Sequence, residues 1–280
     1  MLAACRLMER ELNCREPDLA ELLEELTQQS SGVIRSFFAG CRRAMGELGS
    51  RSFASIWREN LSQADLCLRN SFMETGKARQ AFDYRLVVMN GIEMGQAIQN
   101  KEKAQEILRR YRFDFVLGSL HCIRGMDDFA YIDFSDLDVD VILTRYFEEI
   151  LELCQWGQFD SLAHLTYPLR YITGQYHIPV DLSRYDSIID EILRTLAQKG
   201  LGLEINTGGL RREIGQTAPT LPYIKQFRQL GGEILTFGSD AHRAQDLGAG
   251  LDVAIDMAKE AGFSHFAFYK KREPRMLRLM

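Results

Sequence analysis

Short apolar runs alternate with stretches of helical period from Lys77 to the C-terminus. The apolar runs cover residues 85–93, 113–121, 159–164, 201–206, 233–240 and 263–269. The helical patterns lie near residues 97–110, 139–156, 186–198, 220–230 and 247–261. Gly231, Gly232 and Gly262 follow the last two helical patterns, where glycine commonly ends a helix. A repeated strand–helix order is typical of parallel βα units, so the pattern predicts an α/β fold.

The first 76 residues differ in composition from the rest of the chain. They contain no Lys, Tyr or His, but four of the six cysteines. An amphipathic stretch at 16–30 predicts a helix capped by Asp18, with an apolar face formed by Leu19, Leu22, Leu23 and Leu26. A weaker helix is predicted at 52–72 and a weak strand at 32–40. We therefore predict two domains, a mostly helical or poorly ordered segment at 1–76 and an α/β domain at 77–280.

Most of the predicted strands end in a polar residue. The terminal residues are Glu93, His121, His164, Asn206 and Asp240, and His242 lies two positions beyond the last of them. A chain of 280 residues is long enough for a single α/β barrel of roughly 250 residues. In such a barrel the C-terminal strand ends gather around one mouth, so we expect these side chains to converge there.

The residue types at these strand ends are those that bind transition metals. Glu93, His121 and His164 form a His-His-Glu set of the kind that holds zinc, iron or manganese and leaves a position open. A metal held this way polarises phosphoryl or carbonyl oxygens and lowers the pKa of water. Asp240 and His242 could bind a further ion, or could serve as acid and base. The sequence therefore predicts a hydrolytic metal site.

Two arginines follow strand ends and are candidate phosphate clamps. Arg170 lies six residues after His164, and Arg211 lies five residues after Asn206. A guanidinium can hold a phosphate group with two hydrogen bonds, although an ordinary surface role is an equal alternative for each. The remaining histidines, His177 and His265, do not follow the strand-end pattern, and we interpret them as structural residues.

Composition argues against several partners. The net charge of −5 gives no reason to expect a nucleic-acid-binding surface. No apolar run reaches the roughly 18 residues needed to cross a membrane. The six cysteines lack CxxC pairs and are typical of reduced thiols, so we expect a cytoplasmic protein. From the charge and the apolar runs we expect no membrane or nucleic-acid partner.

Taken together, these motifs resemble the polymerase-and-histidinol-phosphatase (PHP) superfamily, and within it the histidinol phosphatases of histidine biosynthesis. The resemblance rests on "GIE" at 91–93, "GSLH" at 118–121, "AHLTYPLRY" at 163–171, "LEINTGGLR" at 203–211 and "GSDAH" at 238–242. It implies a distorted (β/α)7 TIM-like barrel with up to three metal ions, usually zinc, iron or manganese. It also implies hydrolysis of L-histidinol phosphate to L-histidinol and phosphate.

The same resemblance implies roles for the residues that match these motifs. Glu93 would bridge two metals, and His121 and His164 would complete the coordination of one of them. Asp240 would bind a second ion and His242 a third. Glu93, Asp240 and His242 would thus be the catalytic group, while Arg170 and Arg211 would grip the substrate phosphate.

The N-terminal region departs from the family pattern. Family members begin with a strand ending in H-x-H and a later strand ending in Asp-His, whereas no histidine precedes His121 in this chain. We therefore expect an incomplete barrel, fewer metal ions and impaired phosphatase activity. An open barrel edge exposes unpaired backbone groups, so a homodimer through that edge is a further expectation.

Two other functions stay open. The metal residues alone do not select a substrate, so the chain could be a PHP-family phosphoesterase for another small phosphate ester or a nucleotide. It could also be a catalytically silent relative that only binds phosphate or a partner. Turnover on a panel of phosphorylated metabolites distinguishes the first alternative from a histidinol phosphatase. Tight phosphate binding without turnover would identify the second.

Overall fold

The computed structural model describes residues 23–24, 26–28, 39, 64–83 and 85–280. The chain divides into two compact units, Met1–Val88 and Met89–Met280. In the described part of the chain, no helix is both long enough and apolar enough to cross a membrane.

The first unit contains helix α1, Ala64–Ala81. Residues 23–24 and 26–28 are helical and the side chains of Leu23 and Leu26 are fully buried, as the helix prediction for 16–30 expects at these positions. Ala39 is helical, so the weak strand predicted at 32–40 is wrong at that residue. The other residues predicted at 16–40 and 52–63 lie outside the described part. The predicted boundary at Lys77 falls inside α1.

The second unit is built on a parallel sheet, which confirms the predicted α/β class. Its strands are β1, Gly91–Gly95; β2, Phe115–Ser119; β3, Ser161–Leu162; β4, Gly202–Asn206; and β5, Leu235–Gly238. They lie in the order β1-β2-β3-β4-β5, and every neighbouring pair is parallel. Within the described residues β1 pairs with β2 alone and β5 pairs with β4 alone, so these two strands form the edges of the sheet.

Helices connect successive strands close to where the apolar periods predict them. They are α2, Lys101–Arg110; α3, Val139–Trp156; α4, Leu169–Ile172; α5, Asp186–Lys199; α6, Leu221–Gln229; and α7, Leu251–Glu260. Asn100 and Asp138 cap the first backbone N–H groups of α2 and α3. Gly157 and Gly200 end α3 and α5 in the left-handed conformation that glycine adopts without strain.

The core of this unit lies between the sheet and its helices. All five residues of β4 are buried, as expected for a parallel strand covered on both faces. From the helices, Tyr146 and Phe147 of α3 and Phe227 of α6 are fully buried. Burying large apolar side chains contributes about 1.5–3 kcal/mol each, so this core fixes the strand positions that carry the site.

The last apolar run does not continue the parallel sheet. Strand β6, His265–Lys270, pairs antiparallel with β7, Glu273–Arg278, in a two-stranded hairpin. The expectation of a further parallel strand at 263–269 is therefore wrong. The cause is the two-residue turn Lys271–Arg272, where both residues have positive φ and return the chain directly.

The hairpin turn is anchored at the end of the sheet where the strands begin. Asp114 precedes β2 and accepts the backbone N–H of Lys271 at 3.0 Å. Asp160 precedes β3 and accepts the Arg272 side chain at 2.9 Å. The same Asp160 carboxylate accepts the backbone N–H of Val116 at 2.7 Å. These buried carboxylates therefore tie the C-terminal hairpin to the sheet.

Candidate metal centre

Three neighbouring strands position the first three predicted site residues at one edge of the sheet. Glu93 lies within β1, whereas His121 and His164 lie two residues after β2 and β3 end. Because these strands are parallel and adjacent, their C-terminal ends lie side by side. The three side chains therefore reach a common point from three separate segments.

The ligand atoms of these side chains are in close contact. Glu93 Oε1 lies 3.0 Å from His121 Nε2 and 3.1 Å from His164 Nε2. The two imidazole nitrogens are 3.2 Å apart. All three ligand atoms lie within 4.8 Å of one another. One oxygen and two nitrogens that face each other in this way are the donor set that zinc, iron or manganese prefers, so the residues fit a metal ion.

The charges in this cluster favour cation binding. Burial would raise the pKa of Glu93, but its hydrogen bonds with His121 and His164 outweigh burial and hold that pKa well below the usual range. Burial lowers the pKa of His164 despite the opposing effect of Glu93. The carboxylate is therefore ionised and His164 favours its neutral form, which are the states that bind metals.

Tyr167 packs against both imidazole rings. Its ring centroid lies 4.7 Å from that of His121 and 4.8 Å from that of His164. Its hydroxyl donates to Asp128 at 3.2 Å and lies 3.0 Å from the hydroxyl of Tyr171. Tyr167 therefore restricts the rotation of both histidines. The motif at 163–171 contains Tyr167, but the sequence pattern alone does not indicate its role.

Glu204 is a second supporting residue that the pattern of strand ends does not predict. It lies within β4, is 4% exposed, and accepts the backbone N–H of His164 at 2.9 Å. The same oxygen accepts the Asn206 side-chain amide at 3.1 Å. Burial raises the pKa of Glu204 to about 7. A carboxylate inside the apolar run at 201–206 was the signal that could have identified it.

Arg170 is buried and bonded to other polar side chains. Its Nη1 donates to Asp240 Oδ2 at 2.7 Å, and its Nη2 donates to Asn206 Oδ1 at 2.6 Å. The guanidinium also lies 5.2 Å from the centre of the Tyr167 ring. Burial opposes ionisation of Asp240, but Arg170 outweighs it and lowers the pKa of that carboxyl. Arg170 therefore links the ends of β4 and β5.

The other predicted site residues lie outside the three-residue cluster. Among the described residues, the group of close metal-ligand atoms contains neither Asp240 nor His242. The His242 side chain is 83% exposed, and its Nδ1 lies 3.0 Å from the backbone oxygen of Asp240. Arg211 donates to the backbone oxygen of Ser239 at 2.6 Å. These residues share the loop region after β4 and β5.

Comparison with known protein families agrees with this geometry. The model of the PHP domain family matches residues 63–208, which is more than half of the 280-residue chain. This chain belongs to the PHP domain family. All three residues of the cluster lie within the region that matches the PHP domain.

Named relatives of this PHP domain protein are histidinol phosphatases. It is 31% identical to the "Probable histidinol-phosphatase" of Clostridium acetobutylicum over 188 residues, 66% of this chain and 72% of that protein. It is 28% identical to the "Histidinol-phosphatase" of Lactococcus lactis subsp. lactis over 211 residues, 73% of this chain and 76% of that protein.

A solved structure shares the fold. The crystal structure of histidinol phosphate phosphatase from Lactococcus lactis subsp. lactis, complexed with zinc, L-histidinol and phosphate, matches with a TM-score of 0.63. The sequence identity is 23%, and the match covers 74% of this chain and 79% of that one.

The N-terminal region matches a different family. Residues 1–75 match the model of stage III sporulation protein AB. This region coincides closely with the segment of unusual composition at 1–76. The two family matches overlap at residues 63–75, where helix α1 begins.

Proposed function

We propose that this chain is a metal-dependent phosphomonoesterase that hydrolyses L-histidinol phosphate to L-histidinol and phosphate. The names of its curated relatives support this substrate, and so do the ligands in the Lactococcus lactis structure. The observation that carries the proposal is the meeting of Glu93, His121 and His164 at the C-terminal edge of a parallel sheet. Sheet edges of this kind are where α/β enzymes bind their ligands.

The cluster would hold a divalent cation, and zinc is our first choice over iron or manganese because the solved relative contains zinc. When bound, such a cation polarises a phosphoryl oxygen and increases the acidity of water. Glu93 supplies the negative charge that the cation needs, and Tyr167 keeps both imidazoles in place.

Arg170 and Arg211 are the proposed phosphate-binding residues. Arg170 already donates to Asp240 and Asn206, so its main effect in this arrangement is to hold these two side chains. Arg211 is partly exposed and has N–H groups beyond the one that contacts Ser239. Asp240 contacts both arginines, and His242 contacts Asp240 in turn. These two residues are proposed as acid and base or as ligands of further ions.

We expect weak turnover from this chain. The cluster provides three ligands, and the Asp240 carboxylate is held by Arg170. No histidine precedes His121 to supply further ligands. These observations also favour the second candidate, a catalytically silent relative.

We further propose that residues 1–76 form a module separate from the PHP domain. The change in composition after residue 76 and the match of residues 1–75 to a second family support this module, although α1 continues through that position and the compact units of the structure divide after Val88. The predicted homodimer and the predicted cytoplasmic location stay predictions.

The test is phosphate release by the purified full-length chain with added zinc, iron or manganese. L-Histidinol phosphate is compared with a panel of other phosphate monoesters and nucleotides. We expect turnover that is highest on L-histidinol phosphate, lost in His121→Ala and retained in His177→Ala, since His177 is an exposed histidine outside the cluster. Equal turnover on unrelated esters would favour the broader phosphoesterase. Phosphate binding without turnover at any metal would identify the silent relative.

A further inference from the structure

Glu204 is a buried carboxylate directly beside the metal cluster, and it is not one of the three ligands. The residue is 4% exposed, and such burial is costly for a carboxylate unless its oxygens are hydrogen-bonded. One oxygen, Oε2, accepts both the His164 backbone N–H and the Asn206 side-chain amide, at 2.9 and 3.1 Å. The buried Glu204 carboxylate therefore contacts the backbone of His164, one of the three ligand residues.

His164 depends on an external acceptor because it lies beyond the sheet. Strand β3 ends at Leu162, and His164 has a φ of 21°, a value that residues with a side chain rarely adopt. Such conformations persist where the surrounding structure holds them. His164 is 3% exposed, so water does not reach its backbone easily. The Glu204 oxygen supplies the hydrogen bond that this strained residue requires.

The neighbouring strand leaves room for the Glu204 carboxylate. Residue 204 pairs with Thr236 in the register of β4 and β5, and Asn206 pairs with Gly238. A Cβ atom added to Gly238 would collide with Glu204 Oε1. The absence of a side chain at Gly238 is therefore what allows the carboxylate to lie in this position.

We propose that Glu204 is a positioning residue of the metal centre. By accepting the His164 backbone N–H, it holds the imidazole where Nε2 meets Glu93 and His121. This inference rests on the proposed metal site but requires no turnover. Residues that orient ligands from behind commonly change metal affinity by about 10- to 100-fold when they are replaced.

The first experiment measures zinc affinity by calorimetry for the full-length chain and three variants. Glu204→Met keeps the approximate size of the side chain but removes the acceptor, and we expect zinc to bind at least about tenfold more weakly. Glu204→Gln keeps an acceptor oxygen, so its affinity should stay within about threefold of the wild type. Thr236→Val is the matched control: Thr236 pairs with Glu204 in the register of β4 and β5, and the variant removes a buried hydrogen bond to Ser161 without touching His164.

Three results of this experiment would overturn the proposal. The first is an unchanged affinity in Glu204→Met. The second is an equal loss in Thr236→Val, because that would trace the effect to general destabilisation. The third is an equal loss in Glu204→Gln and Glu204→Met, because that would exclude the acceptor oxygen as the cause.

The second experiment tests the contact in metal-free protein, so it stands even if zinc does not bind. Selective ¹⁵N-histidine labelling gives a backbone amide signal for each of the five histidines. We expect the His164 amide to exchange with solvent at least about tenfold faster in Glu204→Met and in Gly238→Ala, where the carboxylate is intact but displaced. The exposed His177 amide serves as the internal control. Unchanged exchange at His164 in both variants would refute the proposed contact, whereas failure of zinc binding alone would count only against the metal site.

Discussion

Replacing Arg170 with methionine tests the buried polar network next to the metal cluster. The Arg170 side chain is 4% exposed and that of Asp240 is 16% exposed. Removing one partner of a buried ion pair leaves an uncompensated charge and costs about 3–5 kcal/mol. Asn206 Oδ1 also accepts the backbone N–H of Gly208 at 2.9 Å, so it keeps one hydrogen bond when the Arg170 side chain is removed. We therefore expect Arg170→Met to lower the free energy of unfolding by about 3 kcal/mol, the lower end of that range.

The assay is urea unfolding of metal-free protein at neutral pH, followed by circular dichroism. Asp240→Asn and the double variant complete a thermodynamic cycle. Because the two residues are in contact, we expect the double variant to lose about 2 kcal/mol less than the sum of the single losses. The matched control is Arg184→Met, which breaks an exposed pair with Asp140 and should cost less than about 1 kcal/mol.

The pH dependence of this effect has a definite sign. The pKa of Asp240 is lowered in the folded protein, mainly by Arg170 acting against burial. The stability that ionised Asp240 contributes is therefore present above the unfolded carboxyl pKa of about 3.9 and is lost as the pH falls through the lower folded pKa. The difference between the wild type and Arg170→Met should shrink below about pH 4. A loss under about 1 kcal/mol at neutral pH, or strictly additive losses, would refute the reasoning.

Three further variants test other parts of the molecule. Arg272→Met should cost about 2 kcal/mol in urea unfolding because it leaves the buried Asp160 carboxylate without its cation. Burial already raises the pKa of Asp160, so this deficit should grow as the pH rises above about 4; an unchanged stability would contradict it. Gly118→Ala places a Cβ 2.6 Å from the Phe159 ring and should cost about 1–3 kcal/mol; a neutral effect would count against the packing described. Tyr167→Leu should weaken zinc binding about tenfold by calorimetry, and an unchanged affinity would exclude the ring as a support for the imidazoles.

The hydrophobic pattern was sufficient to predict most helices and strands of the second unit. The helix predicted at 139–156 has the same bounds in the structure, because an acidic cap and a terminal glycine mark its two ends. The runs at 201–206 and 233–240 contain β4 and β5, because a short apolar segment between two helical patterns is typical of a buried parallel strand. These elements could therefore be predicted from residues within or next to them.

The hairpin at the C-terminus required information that the pattern did not contain. The run at 263–269 resembles the earlier strands, but the chain reverses at Lys271 and Arg272, two basic residues that rarely adopt positive φ. The anchors that stabilise this turn, Asp114 and Asp160, lie more than a hundred residues earlier in the sequence. Such long-range contacts cannot be read from local periodicity.

The ligands of the candidate site could be predicted from the sequence, whereas the residues that support them could not. The order of polar strand ends was enough to bring Glu93, His121 and His164 together, because parallel neighbours place their C-terminal ends side by side. The supporting roles of Tyr167 and Glu204 depend on ring packing and on a backbone contact across strands. Neither contact has a fixed spacing in the sequence, so both became apparent only in the structure.

The most direct test of the account is the zinc content of the purified full-length chain, measured by mass spectrometry after dialysis against limiting zinc. We expect a single tightly held ion, absent from His121→Ala and His164→Ala and retained in His177→Ala. Zinc that stays bound after both cluster histidines are replaced, or a wild-type chain that holds none, would contradict it.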